Sequence, residues 1–594
     1  MEIIPNASAH RADEHGAVYP LLLSQLGMRN GQLAEPDNPA YSIAMVVWFE
    51  DPSGADVVRA AAAEVCREAS AVNVVLGIDE RGNWSQTVDL GIADDIAVLD
   101  FDGDPDPISA FTTWLANAVA LPFALVGSPL LRQTVATVGN RVAYVAIAHH
   151  MVIDGYGAAL LQRRLVAVYM ARRHGLPIPA ATFGTLAELT GSIRIPEPGD
   201  LQDWTEYLAD GPDILSFTDE VAPPDPVPLT RHVAVRGVRR HGQIWTRLMI
   251  AAVAAYVARY TGMGEVVVGV PVSNRRNHAE RRTPAMLMTV IPLRVQVPRA
   301  ASPREIAQRV GQAMIELSRK PPQRAETLRE AVPTAWRSGR LHGPIANIVP
   351  FEVETPDRSA PCAVEILNHG PVEDVSVLVA PTGDSDVRVE LSMNPRLHSG
   401  QDADDHRDRL HRWMQAIADD PDRPLRDTPF LTSAEQRVHH DIAEEPGVSG
   451  PLTWDSPTTA GSLAAAAGFA GNFPGVTVSD DFGQPVPFGR HGRVHLSGPQ
   501  GPIATELLAS VDRSGIAYRG SREDFRIVNG RAVELERLAH ELARRDEVLS
   551  ARPDPDPGAA RLLVRLTRGV EIDDARRRLG HLVPRGVRFR FDRG

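Results

Sequence analysis

The chain has 594 residues, which is more than one hydrophobic core usually supports, so the sequence predicts two to four domains. Its content of 43% hydrophobic and 23% charged residues is ordinary for a globular protein and excludes a largely disordered chain. Basic residues number 62 and acidic residues 75, so the net charge is 62 − 75 = −13. This argues against nucleic acid as a main partner, because phosphate binding needs a basic surface.

The beginning of the chain, residues 1–6, lacks the positive start and apolar stretch of a secretion signal. No segment has the unbroken apolar length that a membrane helix needs. Cys66 and Cys362 are the two cysteines of the sequence, so we expect neither a disulfide framework nor a cysteine-built metal site. We therefore expect a cytoplasmic protein.

The first 430 residues alternate helical and strand-like patterns, which predicts an α/β architecture. Apolar residues at helical spacing predict a helix over 56–68 and another over 157–174. The short apolar run 141–148 is rich in β-forming residues, which predicts a strand that is buried on both faces. His149 and His150 therefore lie in a strand-to-helix connection, a common place for active-site groups.

Residues 178–228 are rich in proline and loop-forming residues, and we place a boundary between two lobes at their beginning. A strongly apolar helix is predicted over 245–260 and a strand over 265–270. A last amphipathic helix is predicted over about 405–418. From about residue 444 to 474 the composition shifts to Gly, Ala, Pro, Ser and Thr, which is typical of a linker.

The most specific motif is HHMVIDG, which runs from His149 to Gly155. Alternate side chains at a strand end point to opposite sides, so one imidazole can face a cavity while its neighbour points the other way. A histidine of near-neutral pKa can take a proton from an attacking amine or hydroxyl and give it to a leaving thiol. Asp154 is better placed to hold the turn through an arginine than to relay a proton, and Gly155 lets the backbone bend.

This motif resembles that of the condensation domains of nonribosomal peptide synthetases, and the resemblance covers about residues 15–430. Further segments that resemble motifs of this family are 128–132 (SPLLR), 203–208 (DWTEYL), 268–275 (VGVPVSNR), 288–295 (MTVIPLRV) and 431–435 (LTSAE). The resemblance implies an α/β fold of two chloramphenicol-acetyltransferase-like lobes, which form a V-shaped pseudo-dimer. A channel between the lobes would admit a carrier-bound donor and an acceptor from opposite ends.

The implied organisation has four parts: an N-terminal lobe (15–177), a C-terminal lobe (178–430), a linker (431–474) and a small α+β domain (475–594). In the last part, segments 476–489, 514–520 and 529–536 resemble pieces of an adenylation domain. The large nucleotide-binding part and its phosphate loop are missing, and the tail has no lysine to contact an acyl phosphate; arginine has a different geometry. We therefore expect that this part does not adenylate a substrate. It would instead be a docking or stabilising module, or an inert remnant.

An arginine cluster lies near the end of the sequence and consists of Arg576, Arg577, Arg578, Arg585, Arg588, Arg590 and Arg593. Such a cluster can dock an acidic carrier protein, but a solvated charged face is the preferred interpretation.

The resemblance also implies roles for single residues. His150 would be the catalytic residue, His149 and Asp154 structural residues, and Gly155 a backbone contact near the reacting carbonyl. We expect Arg294 as the partner of Asp154, with Arg275 as the second choice. No metal or bound cofactor is expected, since the substrate would arrive on the phosphopantetheine arm of a separate carrier protein.

The sequence departs from the family pattern in two places, and we expect these departures to alter the donor and carrier contacts more than the chemistry. The family's Arg-His-x-x-Leu-Arg segment is replaced by residues 67–73, and Tyr156-Gly157 stands where an aromatic residue and a serine are common.

The sequence thus predicts a stand-alone enzyme that forms an amide or ester in antibiotic or other specialised-metabolite assembly. Its acceptor would be a second carrier-bound substrate or a free small amine such as an amino sugar. Two alternatives stay open: an epimerase of the same superfamily, whose glutamate-rich motif we do not find, and a non-catalytic scaffold. A zinc site built on His149 and His150 is disfavoured, because adjacent side chains do not easily point at one ion.

Overall fold

The computed structural model describes residues 14–50, 54–193, 197–209, 211–212, 214–218, 220–321, 323, 325–332, 340–350, 362–444, 457–467, 475–480, 483–498, 501–522, 525–528, 531–554, 561–567, 570–580, 582–583 and 587–593. Within these residues no helix combines the length and the hydropathy needed to cross a bilayer. Parts of the sequence predictions fall outside the described residues: 481–482 and 529–530 in the adenylation-like segments, and Arg585 in the arginine cluster.

The first lobe is built around a five-stranded sheet and a smaller three-stranded sheet. Its elements are β1 (Val18–Pro20), α1 (Leu23–Ala34), β2 (Ser42–Phe49), α2 (Ala55–Arg67), β3 (Val74–Ile78), β4 (Trp84–Val88), β5 (Ile96–Asp100), α3 (Pro107–Val119), β6 (Leu131–Val138), β7 (Arg141–His149), α4 (Gly155–Arg173) and α5 (Leu186–Ser192). The predicted helices over 56–68 and 157–174 correspond to α2 and α4. The predicted strand over 141–148 is β7, which lies in the middle of the large sheet.

The second lobe contains a six-stranded mixed sheet. The part of the chain that forms it contains α6 (Pro198–Ala209), β8 (Leu229–Val235), α7 (Trp245–Thr261), β9 (Glu265–Val272), α8 (His278–Arg282), β10 (Thr289–Gln296), α9 (Pro303–Arg319), α10 (Ala325–Ala331), β11 (Ile345–Ile348), β12 (Cys362–His369), β13 (Val375–Thr382), β14 (Asp386–Met393) and α11 (Gly400–Asp419). The strand order is β10-β9-β11-β13-β14-β8. Every residue of α7 from Leu248 to Ala258 is buried, as expected for a helix that is apolar on all sides.

Strand β12 does not join the sheet of the lobe in which its sequence lies. It pairs antiparallel with β2 and completes the first lobe's sheet in the order β12-β2-β7-β6-β5. A single boundary at residue 178 therefore does not separate the two lobes, which corrects the predicted division. The physical reason is that β2 would otherwise present an unpaired edge, and β12 covers it with main-chain hydrogen bonds and the buried Val364.

The C-terminal part forms three further sheets. Its elements are α12 (Ser433–Glu444), β15 (Pro457–Thr458), α13 (Ala460–Ala466), β16 (Val476–Ser479), β17 (His491–Gly498), β18 (Gly501–Asp512), β19 (Gly515–Ser521), β20 (Phe525–Val528), β21 (Arg531–Glu534), α14 (Leu535–Leu542), β22 (Val548–Pro553), β23 (Arg561–Leu566), α15 (Ile572–Gly580) and β24 (Arg588–Arg593). The sheets have the orders β15-β19-β18-β17-β16, β20-β21 and β22-β23-β24.

The segment predicted as a linker, 431–474, is folded where it is described. Helix α12 and helix α13 contribute Ile442 and Leu463 to the same buried cluster as Val476 and Val494 of the five-stranded sheet. The prediction is therefore wrong for these residues. Its composition misled because alanine, which is frequent in linkers, is also the strongest helix former.

Buried ion pairs attach this C-terminal part to the second lobe. Arg259 of α7 donates to Asp480 across 2.7 Å, and both side chains are largely buried. Arg409 of α11 pairs with Glu435 of α12, and both side chains lie almost entirely inside the protein. These contacts attach α12 and the end of β16 to the second lobe, and each buried charge has an opposite charge beside it.

Candidate active site

A cavity of about 710 Å³ lies between the two lobes, and His150 lines it. The first-lobe wall is formed by side chains of β2, β6, β7 and the beginning of α4. The second-lobe wall comes from the ends of β9 and β11 and from β13 and β14. The histidine motif therefore faces a space that both lobes enclose.

Strand β7 and the turn after it place the two imidazoles on different sides. The backbone N–H of His149 donates to the carbonyl of Leu130, and that of His150 donates to the carbonyl of Tyr41 across 2.8 Å. Both backbone positions are thus fixed by neighbouring segments. The His149 side chain packs into the first lobe, while the His150 ring reaches the cavity wall, as the alternation at a strand end predicts.

His149 is fully buried and held as a neutral ring. Its Nδ1 accepts a hydrogen bond from the Met151 backbone N–H, so the ring proton is on Nε2, which lies 3.0 Å from Oε1 of Gln32. Burial, with a smaller contribution from the charge of His150, lowers the pKa of His149 to about 3. A ring with both nitrogens engaged inside the protein suits a structural role.

His150 is 4% exposed, and its Nδ1 is buried. We therefore expect Nε2 to be the nitrogen that meets a molecule in the cavity. The Cδ2–Nε2 edge of the ring lies against Gly370, the residue that follows β12: a Cβ atom placed there would be 2.5 Å from Cδ2 and 3.1 Å from Nε2.

Asp154 connects the turn of the motif to the second lobe. Its carboxylate accepts hydrogen bonds from the Gly157 N–H at the start of α4, from both terminal nitrogens of Arg275, and from the N–H groups of Leu287 and Met288, all within 3.0 Å. The side chains of Asp154 and Arg275 are each 2% exposed. The carboxylate is therefore occupied by structural partners.

The expectation that Arg294 pairs with Asp154 is wrong, and the second choice, Arg275, is the partner. Arg294 lies within β10, where its Nε donates to Glu265 across 2.9 Å and its Nη1 to the carbonyl of Tyr207. Arg275 lies just beyond the end of β9, and the loop position lets its guanidinium turn back to the motif.

Two glycines of the motif region have different surroundings. Gly155 begins α4 and lines the cavity, and a Cβ there would have no neighbour within 4 Å. Gly157 packs against the second lobe, where a Cβ would be 3.1 Å from the backbone nitrogen of Ala285. Glycine at position 157, where the family commonly has serine, thus allows the close contact with Ala285. Gly155 has no side chain to cover its backbone where it lines the cavity.

Two residues that contact the histidines, Gln32 and Gly370, are not predicted by the sequence. Gln32 comes from α1, far from the motif in the chain, and Gly370 is delivered by the crossing strand β12. Neither contact has a local sequence signal, because both depend on the packing of distant segments. Within the described residues no group of His, Cys, Asp and Glu could hold a metal ion.

The family model for the condensation domain matches residues 16–189 and 236–438. A dimodular nonribosomal peptide synthase of Bacillus subtilis is 29% identical over 419 residues, which cover 67% of this chain and 18% of that protein. An isonitrile lipopeptide synthase of Streptomyces coeruleorubidus is 29% identical over 423 residues, which cover 68% of this chain and 29% of that protein. The chain thus matches less than a third of the length of these two relatives.

Solved structures of condensation domains are also similar to this chain in fold. A starter condensation domain of rhizomide synthetase, in complex with C8-CoA and Leu-SNAC, is 25% identical to this chain, with a TM-score of 0.63. The match covers 72% of this chain and 100% of that domain. The first condensation domain of the calcium-dependent antibiotic synthetase, also 25% identical, has a TM-score of 0.62 and covers 70% of this chain and 99% of its own.

Proposed function

The chain belongs to the condensation-domain family, with its two-lobed α/β fold, and from this premise we propose that it transfers an acyl group from a carrier-protein thioester to an amine and so forms an amide. The observation that carries the proposal is the position of His150 on the wall of a cavity enclosed by both lobes. An ester would result if the acceptor offered a hydroxyl instead of an amine.

In the proposed reaction the amine nitrogen attacks the thioester carbonyl. A C–N bond forms and the C–S bond breaks, and the proton lost by the amine ends on the departing thiol. Nε2 of His150 takes that proton and returns it, since Nδ1 is buried. Holding the amine and the thioester in reach of one another supplies part of the acceleration as well.

The surroundings of His150 support this role by fixing the backbone that carries the ring. His149 is anchored by Gln32 and by its own turn, and Asp154 is anchored by Arg275. Gly155 stands at the N-terminus of the 19-residue helix α4, where backbone N–H groups favour negative charge. We propose that this backbone stabilises the oxygen of the tetrahedral intermediate.

The first-lobe wall suggests the donor class. Ile43 and Met45 of β2 and Ala146 and Ala148 of β7 lie on one face of the sheet, opposite each other in register, and all line the cavity. The two alanines carry only a methyl group, which leaves room above the sheet. An apolar, uncharged acyl chain fits this wall, and the similar starter condensation domain was solved with C8-CoA.

The acceptor side is formed by the second lobe. Its wall contributes the polar residues Ser273, Asn347 and Thr382. We propose a polar amine as acceptor, carrier-bound or free, including an amino sugar, in the assembly of an antibiotic or related specialised metabolite. No part of the 594 residues resembles a carrier domain with its phosphopantetheine serine, so an assay of this polypeptide needs a loaded carrier added to it.

The test is intact mass spectrometry of the chain mixed with an octanoyl-loaded carrier domain and candidate amines, with C8-CoA and Leu-SNAC as a carrier-free pair. The parent should unload the donor faster than background, and His150→Ala should reduce product formation by roughly two or more orders of magnitude. His174→Ala, at an exposed histidine beyond α4, is the matched control and should retain the parent rate. A folded His150→Ala variant that turns over like the parent would remove the catalytic assignment.

A further inference from the structure

Gly370 has a backbone conformation and a close contact with His150 that leave no room for a side chain. Its φ is +96°, in the region that favours glycine. A Cβ atom at this position would lie 2.5 Å from Cδ2 and 3.1 Å from Nε2 of His150. The first distance is far below van der Waals contact, so either the imidazole or the strand end would have to move.

The path of β12 explains why Gly370 reaches this histidine. His369 is opposite Ile43 of β2, and Ile43 is opposite Ala148 of β7. Gly370 is one residue beyond His369, and His150 is two residues beyond Ala148. Both therefore lie at the same end of the sheet. A register shift between Ile366 and Asn368 adjusts the last residues of β12 just before the glycine.

We propose that Gly370 is a positioning residue for His150: the crossing strand β12 holds the Nε2 edge of the imidazole in place at the cavity wall. This inference rests on the proposed function, because the proposed function makes Nε2 of His150 the reacting nitrogen. Since β12 lies in the chain after most of the second lobe, it also links the placement of the ring to the packing of the two lobes.

The expected effect of Gly370→Ala follows from the two distances. The added methyl group displaces the ring or covers Nε2, and displacement of a reacting group by about 1 Å can cost on the order of a hundredfold in rate. The acyl-binding wall is not altered, so the loss should fall on kcat, with KM for the donor within about twofold of the parent.

Gly383 supplies the matched control. It also has a positive φ, +59°, in the turn between β13 and β14, but a Cβ there would meet no atom within 4 Å. Gly383→Ala therefore places an alanine at a positive φ without the contact to an imidazole. Because the φ of Gly370 lies further from the left-handed region, the strain at Gly370 is separated from the contact by removing the imidazole as well.

The experiment is a double-mutant cycle between Gly370→Ala and His150→Ala, read by thermal unfolding and by kcat and KM with C8-CoA and Leu-SNAC. Gly370→Ala should lower the unfolding midpoint more than Gly383→Ala does, and kcat by at least tenfold. In the His150→Ala background the losses due to the contact should disappear: the midpoint drop caused by Gly370→Ala should be smaller than in the parent, and the residual rate should change by less than twofold.

Equal losses in both backgrounds would overturn the inference while leaving the proposed function intact. So would a Gly370→Ala variant with the parent's kcat. If instead His150→Ala is as active as the parent, the proposed function fails, and the positioning role falls with it. If the parent does not turn over the pair of thioesters, the unfolding midpoints decide: additive effects overturn the contact, and coupled effects support it.

Discussion

Arg275 and Asp154 form a buried bidentate ion pair between the two lobes, with Nη1 2.8 Å from Oδ2 and Nη2 3.0 Å from Oδ1. Asp154 begins the helix that follows the histidine motif, and Arg275 follows the strand β9 of the second lobe. The pair therefore connects the segment that carries His150 to the opposite wall of the cavity. We expect this pair to hold the two walls in place relative to each other.

Asp154→Ala should damage folding and activity together. The change leaves the Arg275 guanidinium buried without its carboxylate, and removing one partner of a buried pair costs about 3–5 kcal/mol. Denaturant unfolding should show a loss of this size, and the soluble yield should fall. Asp422→Ala, which breaks an exposed bidentate pair with Arg304, is the control and should cost less than about 1 kcal/mol. A stable Asp154→Ala protein with little activity would instead indicate a direct chemical role.

The local features of the motif could be predicted from the sequence, and the distant ones could not. Opposite orientation of His149 and His150 follows from strand alternation. An arginine partner for Asp154 follows from the position of its carboxylate in the turn, where holding the loop is favoured over relaying a proton. Which arginine it is depends on where β9 ends relative to the turn, and the structure gives this contact to Arg275 and not to the expected Arg294. No local pattern announces that β12 leaves its own lobe, and the contact of Gly370 with His150 depends on that crossing.

Protonation of His149 should make the protein less stable in mild acid. Burial lowers its pKa in the folded state to about 3, below the usual value of 6.5, so between these pH values the unfolded chain binds the proton and the folded chain does not. Stability is therefore lost as the pH falls from about 6.5 towards 3, by up to about 1.4 kcal/mol per pH unit.

The measurement is denaturant unfolding of the parent and of His149→Gln at pH 7, 6 and 5. Gln cannot titrate, so the slope of stability against pH should be smaller in the variant. The groups that face the ring are Gln32, Tyr41, Phe123 and His150, and the same groups are present in both proteins. Equal slopes would mean that His149 does not carry the acid sensitivity.

Ala148 should control the length of the acyl chain that the cavity accepts. Ala148→Leu fills part of the space between the sheet and α4, so octanoyl transfer should fall at least tenfold relative to acetyl transfer. Competition between octanoyl and acetyl thioesters, followed by mass spectrometry, gives this ratio directly. Ala380→Leu adds the same volume on the second-lobe wall and should leave the ratio within about twofold. A parallel change of the ratio in both variants would argue against an acyl site on the first-lobe wall.

The C-terminal part should be needed for the stability of the second lobe, and Glu435 is the residue that tests this. Its carboxylate pairs with the buried Arg409 and accepts the N–H of Thr432 at the start of α12 and that of Phe488. Glu435→Ala leaves Arg409 as an uncompensated buried charge, so the free energy of unfolding should fall by about 3–5 kcal/mol. Glu506→Ala, which removes a largely exposed partner of Arg493, should cost less than about 1 kcal/mol. If the two variants unfold at the same denaturant concentration, the C-terminal part does not stabilise the second lobe through this contact.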